Sequence, residues 1–187
     1  MRLVRWGEGK AMPWKNGGGI THEVAVSPPA AGLADFDWRI SMAEVASDGP
    51  FSRFEGVDRT LCLMRGAGMI LTLPEERRQL TAGDPMIRFP GEAEVMARLS
   101  DGPILDLNIM TRRARLRHRV LALDVTGEIR PDLPAILAVI CRRGEVSVSG
   151  RTLGARDCAF PGEAGLQIAG EGAVFIVQCQ PAPFVET

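Results

Sequence analysis

Apolar residues recur in short runs along the whole chain, and glycine, proline or charged residues interrupt these runs at close intervals. Several runs alternate between apolar and polar positions with the two-residue period of a β-strand, and none keeps the 3.6-residue period of a helix for a dozen residues. This pattern predicts an all-β protein. Strands are expected at 24–26, 36–42, 60–64, 69–73, 86–89, 94–99 and 104–110, and then at 135–141, 145–149, 166–169 and 173–179.

One five-residue word occurs twice in the chain. Phe-Pro-Gly-Glu-Ala stands at 89–93 and again at 160–164, and a short apolar run ending in a basic, glycine-containing turn lies upstream of each copy. Such internal similarity indicates duplication of a small β unit. We therefore predict two halves, residues 1–115 and a smaller one of residues 116–187.

The net charge of −1 argues against general binding to nucleic acids or membranes. One exception is segment 112–119, Arg-Arg-Ala-Arg-Leu-Arg-His-Arg. Two interpretations of it are open: an interface for nucleic acid or protein, or a solvated or subunit-bridging strand whose arginines pair with carboxylates. The second is favoured, with His118 exposed to solvent. The N-terminus meets charge and Gly7 before an apolar signal segment can form, so we expect a cytoplasmic protein.

The glycine-rich segment 12–23, Met-Pro-Trp-Lys-Asn-Gly-Gly-Gly-Ile-Thr-His-Glu, is the least generic part of the sequence. Three successive glycines suit a backbone that takes positive φ or passes close to another group. Asn16-Gly17 is also a strong hairpin signal, so a simple turn and a loop that grips a ligand both remain open. A phosphate loop is disfavoured, because no Gly-Lys-Ser/Thr sequence or helical pattern follows.

The cysteines and histidines limit which redox and metal chemistry the protein can carry out. The isolated cysteines lack paired spacing and are expected to be buried and reduced. Each repeat has a Gly-Asp or similar turn, a short strand and a Pro-Gly turn, which resembles the second conserved signature of cupins and implies two jelly-roll or β-barrel halves, a bicupin. Metal cupins use at least three histidines and a glutamate, whereas this chain has only His22 and His118. We expect no metal and no other cofactor.

Several words in fixed order resemble the HutD/Ves family over most of residues 1–112. They are 14–23, then Trp-Arg-Ile-Ser-Met-Ala at 38–43, Gly-Pro-Phe-Ser-Arg-Phe at 49–54, Gly-Val-Asp-Arg at 56–59 and Asp-Leu-Asn-Ile-Met at 106–110. The resemblance implies a bicupin without established enzymatic activity. Its HutD branch implies a role in histidine utilisation, binding an intermediate such as N-formylglutamate and restraining the pathway. Its Ves branch implies a stress-related role, and the sequence does not choose between them.

Because side chains alternate between the two faces of a strand, polar residues two apart in these motifs are candidates to line a pocket. Arg39 and Ser41 share one strand face, and Asp106 and Asn108 share another. Such faces either line a barrel cavity or look at water, and both interpretations are open. Arginine suits a carboxylate ligand because it can bind both oxygens. The candidate ligand-binding residues are Lys15, Asn16, Thr21, Glu23, Arg39, Ser41, Ser52, Arg59, Arg88, Asp106 and Asn108.

These observations favour a metal-free protein that binds a small carboxylate and regulates histidine utilisation without catalysis. No Ser-His-Asp set can be assembled, so no catalytic residue is assigned. An enzyme of isomerase or hydrolase type, acting on an amino-acid or sugar derivative with Glu23 or Asp106 as the base, is the alternative. Unpaired β edges of a bicupin are compatible with a homodimer.

Overall fold

The computed structural model describes residues 1–15, 17–162 and 165–183, and in these ranges it contains β-strands and no α-helix. The predicted all-β class is confirmed. No helix long and apolar enough to cross a membrane occurs among these residues. The strands are β1 (Arg2–Val4), β2 (Lys10–Pro13), β3 (Gly19–Ser27), β4 (Trp38–Val45), β5 (Gly49–Pro50), β6 (Val57–Arg65), β7 (Met69–Thr72), β8 (Arg77–Leu80), β9 (Met86–Pro90), β10 (Met96–Leu99), β11 (Ile104–Arg112), β12 (Leu116–Ile129), β13 (Ile136–Val148), β14 (Arg151–Gly154), β15 (Cys158–Phe160) and β16 (Ile168–Pro181).

The chain divides into two compact units. The N-terminal unit comprises Lys10–Arg117 and the residues after Gln180, and the C-terminal unit comprises Met1–Gly9 and His118–Gln180. The sequence-based division at 115/116 assigns residues 1–9 to the first half. They lie in the C-terminal unit because β1 pairs with β15, opposing Leu3 to Ala159. This pairing joins residues far apart in sequence, so no local pattern announces it.

Two antiparallel sheets build the N-terminal unit. One has the strand order β2-β3-β4-β11-β6-β9 and the other β5-β10-β7-β8. Apolar residues of both sheets form one core, in which Leu61 and Leu63 of β6 cluster with Met69 and Leu71 of β7. Burying these alternate side chains supplies the main driving force for sheet packing. The opposite end of the large sheet carries the polar residues described below.

The glycine-rich segment forms the turn of the β2–β3 hairpin. The Trp14 amide donates to the Gly19 carbonyl at 2.9 Å, and the Gly17 amide donates to the Trp14 carbonyl at 3.0 Å. Gly17 has φ of +71°, which favours glycine. A Cβ on Gly19 would stand 2.4 Å from the Glu44 carbonyl oxygen. The segment is therefore both a hairpin turn and a close approach; Asn16 lies outside the described residues.

The C-terminal unit is built on a sheet of order β1-β15-β13-β16-β12, with β14 also paired to β13. Val139 and Cys141 of β13 and Val174 and Ile176 of β16 pack in its core. The four cysteines are free, three of them buried and Cys179 half-buried. Burial raises the pKa of the Cys141 thiol to about 11, so the thiol is protonated at neutral pH.

The arginine-rich segment is largely paired, and one prediction about it is wrong. Arg113 forms ion pairs with Asp58 at 2.7 Å and Glu92 at 2.9 Å, and Arg115 pairs with Asp37. These pairs fit the favoured interpretation in that the arginines meet carboxylates, but Arg113 and Arg115 lie in the turn between β11 and β12 and not on a strand. His118, however, is only 4% exposed rather than facing solvent. Strand alternation turns its side chain inward while the arginines on either side of it point outward.

Candidate functional site

A cavity of about 540 Å³ opens in the N-terminal unit. Its volume falls in the range of small-molecule sites, roughly 300–1,000 Å³. The lining combines buried polar side chains with an apolar wall, the composition typical of ligand pockets. Its lining residues are Met12, Pro13, Trp14, Lys15, Thr21, Leu33, Arg39, Ser41, Ala43, Pro50, Phe51, Ser52, Phe54, Arg59, Asp106, Asn108 and Met110.

The polar floor of the cavity is one face of strands β4, β11 and β6. Register sets Arg39 opposite Met110 and Met110 opposite Arg59, so the two arginines flank one methionine. Ser41 stands opposite Asn108 in the next row of the same face. Residues two apart on a strand share a face, which brings these polar side chains together. The floor is thus assembled from words that are far apart in the sequence.

Arg39 is held by two side chains on its own side of the floor. Its Nε donates to Glu23 Oε2 at 2.9 Å, and its Nη1 donates to Ser41 Oγ at 3.1 Å. Arg39 is 4% exposed. This charge-assisted hydrogen bond to Glu23 neutralises the guanidinium locally and fixes its orientation.

Arg59 has neutral hydrogen-bond partners. Its Nε donates to Asn108 Oδ1 at 2.8 Å, and its guanidinium carbon lies 4.6 Å from the centre of the Phe51 ring and 5.4 Å from that of Phe89. No carboxylate in the described part of the chain forms an ion pair with it. Burial lowers its pKa to about 10, partly offset by the charge of Asp106, so it carries a proton at neutral pH.

Asp106 is the most buried acid of the cavity, with 1% of its surface exposed. Asn108 Nδ2 donates to its Oδ1 at 2.6 Å. Burial raises its pKa to about 7, although the charge of Arg59, the Asn108 hydrogen bond and the Ala43 amide each lower it in part. Near neutral pH the carboxyl group therefore exists in both protonation states.

The apolar wall is positioned by the hairpin and by the loop after β5. Trp14 Nε1 donates to Thr21 Oγ1 at 2.8 Å, which holds the indole ring beside the cavity. The Phe51 amide donates to the Val95 carbonyl at 2.9 Å, and the Phe54 amide donates to the Gly91 carbonyl at 2.8 Å. The repeated word that contains Gly91 thus anchors the loop carrying the aromatic side chains.

Most of the sequence-predicted site residues meet at this cavity. Glu23 joins them through Arg39, whereas Arg88 lies elsewhere: it is exposed and pairs with Asp58 at 2.9 Å. On β9 the neighbours Ile87 and Phe89 point to the core, so the side chain between them points away. Asn16 is outside the described residues. Those that line the cavity are Lys15, Thr21, Arg39, Ser41, Ser52, Arg59, Asp106 and Asn108.

The sequence analysis missed the phenylalanines and Leu33 of the apolar wall. Phe51 and Phe54 flank Ser52 inside the word at 49–54, so the same word that supplied a polar candidate also carried the wall. Leu33 lies in a loop without any pattern, and nothing in the sequence indicates its position beside the cavity. Among residues 1–15, 17–162 and 165–183, no group of three or more His, Cys, Asp or Glu side chains is arranged to hold a metal ion.

Comparison with known proteins places the chain in a family. A sequence profile of HutD matches residues 7–176. The chain belongs to the HutD family. An uncharacterised 21.2 kDa protein of the hutC 3′ region of Pseudomonas putida is 33% identical over 162 residues, covering 84% of this chain and 85% of that protein. Protein Ves of Citrobacter koseri is 40% identical over 114 residues, covering 60% of this chain and 59% of its own length.

The solved structure of HutD from Pseudomonas fluorescens SBW25 has the same fold. Its TM-score is 0.81 at 34% identity, with 96% of this chain and 98% of that chain covered. The expected resemblance to the HutD/Ves family is therefore confirmed, and with it the cupin-like, all-β architecture.

Proposed function

We propose that this protein binds a small carboxylate in the cavity of the N-terminal unit, and that the ligand is a glutamate derivative such as N-formylglutamate. The observation that carries the proposal is Arg59, a buried cation whose described hydrogen-bond partner, Asn108, is neutral. A desolvated charge costs free energy unless an opposite charge meets it. An anionic ligand beside Arg59 supplies that charge.

The cavity matches the size and chemistry of such a ligand. A charge-assisted hydrogen bond contributes about 1.5–3 kcal/mol, so two or three of them supply only part of the binding free energy after the costs of association, and contact with the apolar wall supplies the rest. Hydroxyl groups of Thr21 and Ser52 and the amide of Asn108 are available to a formyl or amide group. Lys15, exposed at the hairpin, offers a cation to a second carboxylate.

The biological role we propose is regulation of histidine utilisation in the cytoplasm, without a metal and without catalysis. The names of two similar proteins support this: one is HutD, and the other is described as a protein of the hutC 3′ region. A stress-related role of the Ves type is the alternative, supported by the similarity to Protein Ves.

Thermal unfolding with candidate ligands tests the proposal. A ligand at a hundredfold excess over its Kd adds about 2.7 kcal/mol to the free energy of unfolding, or roughly 5–10 °C in Tm for a chain of this size. We expect this rise with N-formyl-L-glutamate and a smaller one or none with formiminoglutamate, urocanate or histidine. Unchanged melting with all four at millimolar concentration would refute the proposal.

Paired arginine variants locate the effect. Arg59→Met removes the buried cation, and we expect it to abolish the rise in Tm. Arg88→Met is the matched control, because Arg88 is exposed and lies outside the cavity lining. The control should keep the full rise. A full rise in both variants would mean that the ligand binds outside this cavity.

A second candidate function is catalysis by Asp106 as a general base. A pKa near 7 is suited to proton transfer at neutral pH, and the side chain borders the cavity. The two functions differ in what happens to the ligand. Under the first proposal, N-formyl-L-glutamate incubated with the protein is recovered unchanged by NMR. Conversion that Asp106→Asn eliminates would establish the enzyme instead.

A further inference from the structure

Four ionisable side chains on or beside the cavity floor balance one another. Arg39 and Glu23 form a neutral pair at 2.9 Å. Arg59 and Asp106 carry opposite charges and form no ion pair with each other; each instead shares a hydrogen bond with the Asn108 side chain. With all four ionised, their total charge is zero. The floor therefore has no surplus positive charge to give to an anion.

A bound carboxylate changes this balance. Placed against Arg59, it adds one negative charge close to Asn108 and to the carboxylate that Asn108 contacts. Like charges in a site of low effective dielectric repel strongly, by several kcal/mol at about 4 Å with an effective ε of 20. Protonation of one acid restores neutrality and removes the repulsion. Two carboxylates sharing one site raise the pKa of one of them in the same way.

The groups facing Asp106 determine which acid takes the proton. Arg59 of β6 is the cation whose charge acts on it, Arg39 of β4 lines the same cavity, Glu23 of β3 is the other acid, and Lys15 is exposed on the hairpin. Glu23 already accepts a charge-assisted hydrogen bond from Arg39 at 2.9 Å. In the described part of the chain, the hydrogen-bond donors to Asp106 are neutral: the Asn108 side-chain amide and the Ala43 backbone amide.

We propose that the cavity takes up one proton from solvent with each ligand molecule whose carboxylate it places against Arg59, and that Asp106 receives this proton. The inference rests on the proposed carboxylate-binding function and adds its regulation by pH. The protonated carboxyl group gains an O–H donor, and Arg59 is left free to pair with the ligand. No covalent bond of the ligand forms or breaks in this step.

The intrinsic acidity of Asp106 fits the coupling. Burial raises its pKa to about 7 in the unliganded protein, so the group is ionised at about pH 8 and protonated at about pH 5.5. Uptake should therefore approach one proton per ligand at about pH 8 and vanish at about pH 5.5. The Kd should rise about tenfold for each pH unit above 7, as linkage requires for one proton.

Isothermal titration calorimetry measures the uptake directly. N-formyl-L-glutamate and glutarate are titrated at about pH 8 in phosphate, HEPES and Tris, whose ionisation enthalpies differ. The slope of observed enthalpy against ionisation enthalpy is the number of protons taken up, and we expect a value of about one. Asp106→Asn should bind with zero slope and a Kd independent of pH.

A control variant and the possible outcomes distinguish the proposed proton uptake from the proposed carboxylate binding. Asp124→Asn is the matched control, since Asp124 is exposed in the C-terminal unit, and it should keep the wild-type slope. Binding with zero slope in the wild type overturns the proton coupling and leaves the carboxylate site standing. A folded Asp106→Asn variant that keeps the slope overturns the assignment to Asp106. If neither carboxylate binds, both proposals are overturned. If the Asp106→Asn variant does not fold, the slope of the wild-type protein alone shows whether binding takes up a proton.

Discussion

Replacing the buried cation of the cavity should remove ligand binding without lowering stability. Arg59→Met keeps a long apolar side chain beside the Phe51 and Phe89 rings but deletes the charge. Most large-to-small or charge-deleting changes in a core destabilise a protein. Here we expect the opposite balance, because the folded site disfavours the charge that it contains.

The magnitude follows from the pKa of Arg59. A fall from 12.5 to about 10 means that the folded environment penalises the protonated form. At 1.36 kcal/mol per pKa unit, this penalty is about 3 kcal/mol at neutral pH. Deleting the guanidinium also leaves Asn108 Oδ1 without its donor, which costs about 1–3 kcal/mol. The free energy of unfolding at pH 7 should therefore stay level or rise by about 2 kcal/mol.

Urea unfolding at pH 7 measures this difference through the midpoint and the m-value. Arg88→Met serves as the control: its exposed ion pair with Asp58 is worth at most about 1 kcal/mol, so its loss should lower stability by no more than that. A loss of more than about 1 kcal/mol in Arg59→Met, at unchanged m-value, would refute the reasoning that the charge is held at a cost for binding an anion.

Two further predictions concern packing and pH. Gly91→Ala should lower the free energy of unfolding, measured in urea, by about 1–3 kcal/mol, because its Cβ would stand 2.7 Å from the Phe54 carbonyl oxygen and 3.0 Å from that of Val57. Gly49→Ala is the control, since the space around its new Cβ is open, and it should change this free energy little. Equal effects of the two substitutions would contradict the view that the backbone at Gly91 leaves no room for a side chain. Since the folded pKa of Asp106 is raised from 3.8 to about 7, the folded state binds more protons between these pH values, and stability should fall by about 4 kcal/mol as pH rises through them. Asp106→Asn should remove that fall, so a stability difference between variant and wild type that stays constant from about pH 4 to about pH 7 would disprove the shift.

Much of the site was predictable because β-strands have a simple period. Arg39 with Ser41, and Asp106 with Asn108, were recognised as pairs sharing a face, and both pairs line the cavity. The same reasoning could not exclude Arg88, because alternation says that it faces away from its neighbours but not which side is the core. Phe51 and Phe54 of the apolar wall were not predicted, because aromatic residues in a loop show no periodicity that would indicate which way they point.

The burial of His118 also depends on which face of its strand the rest of the protein covers. Its place among arginines indicated solvent, since charged neighbours are usually exposed. Alternate positions on β12 nevertheless face opposite sides, and the sheet turns this one inward. The glycine-rich segment was the reverse case, in which two competing interpretations proved compatible: Gly17 needs its positive φ for the turn, and Gly19 needs its missing Cβ beside Glu44.

The sequence by itself determined the all-β class, the family and the residues that share a strand face, because these depend on local period and on words of fixed order. Tertiary structure decided which faces are covered, and with them the electrostatics of the site. Arg59 and Asp106 are ordinary charged residues in the sequence. Their pKa values shift because β6 and β11 leave little of either side chain exposed and the local partner is a neutral amide.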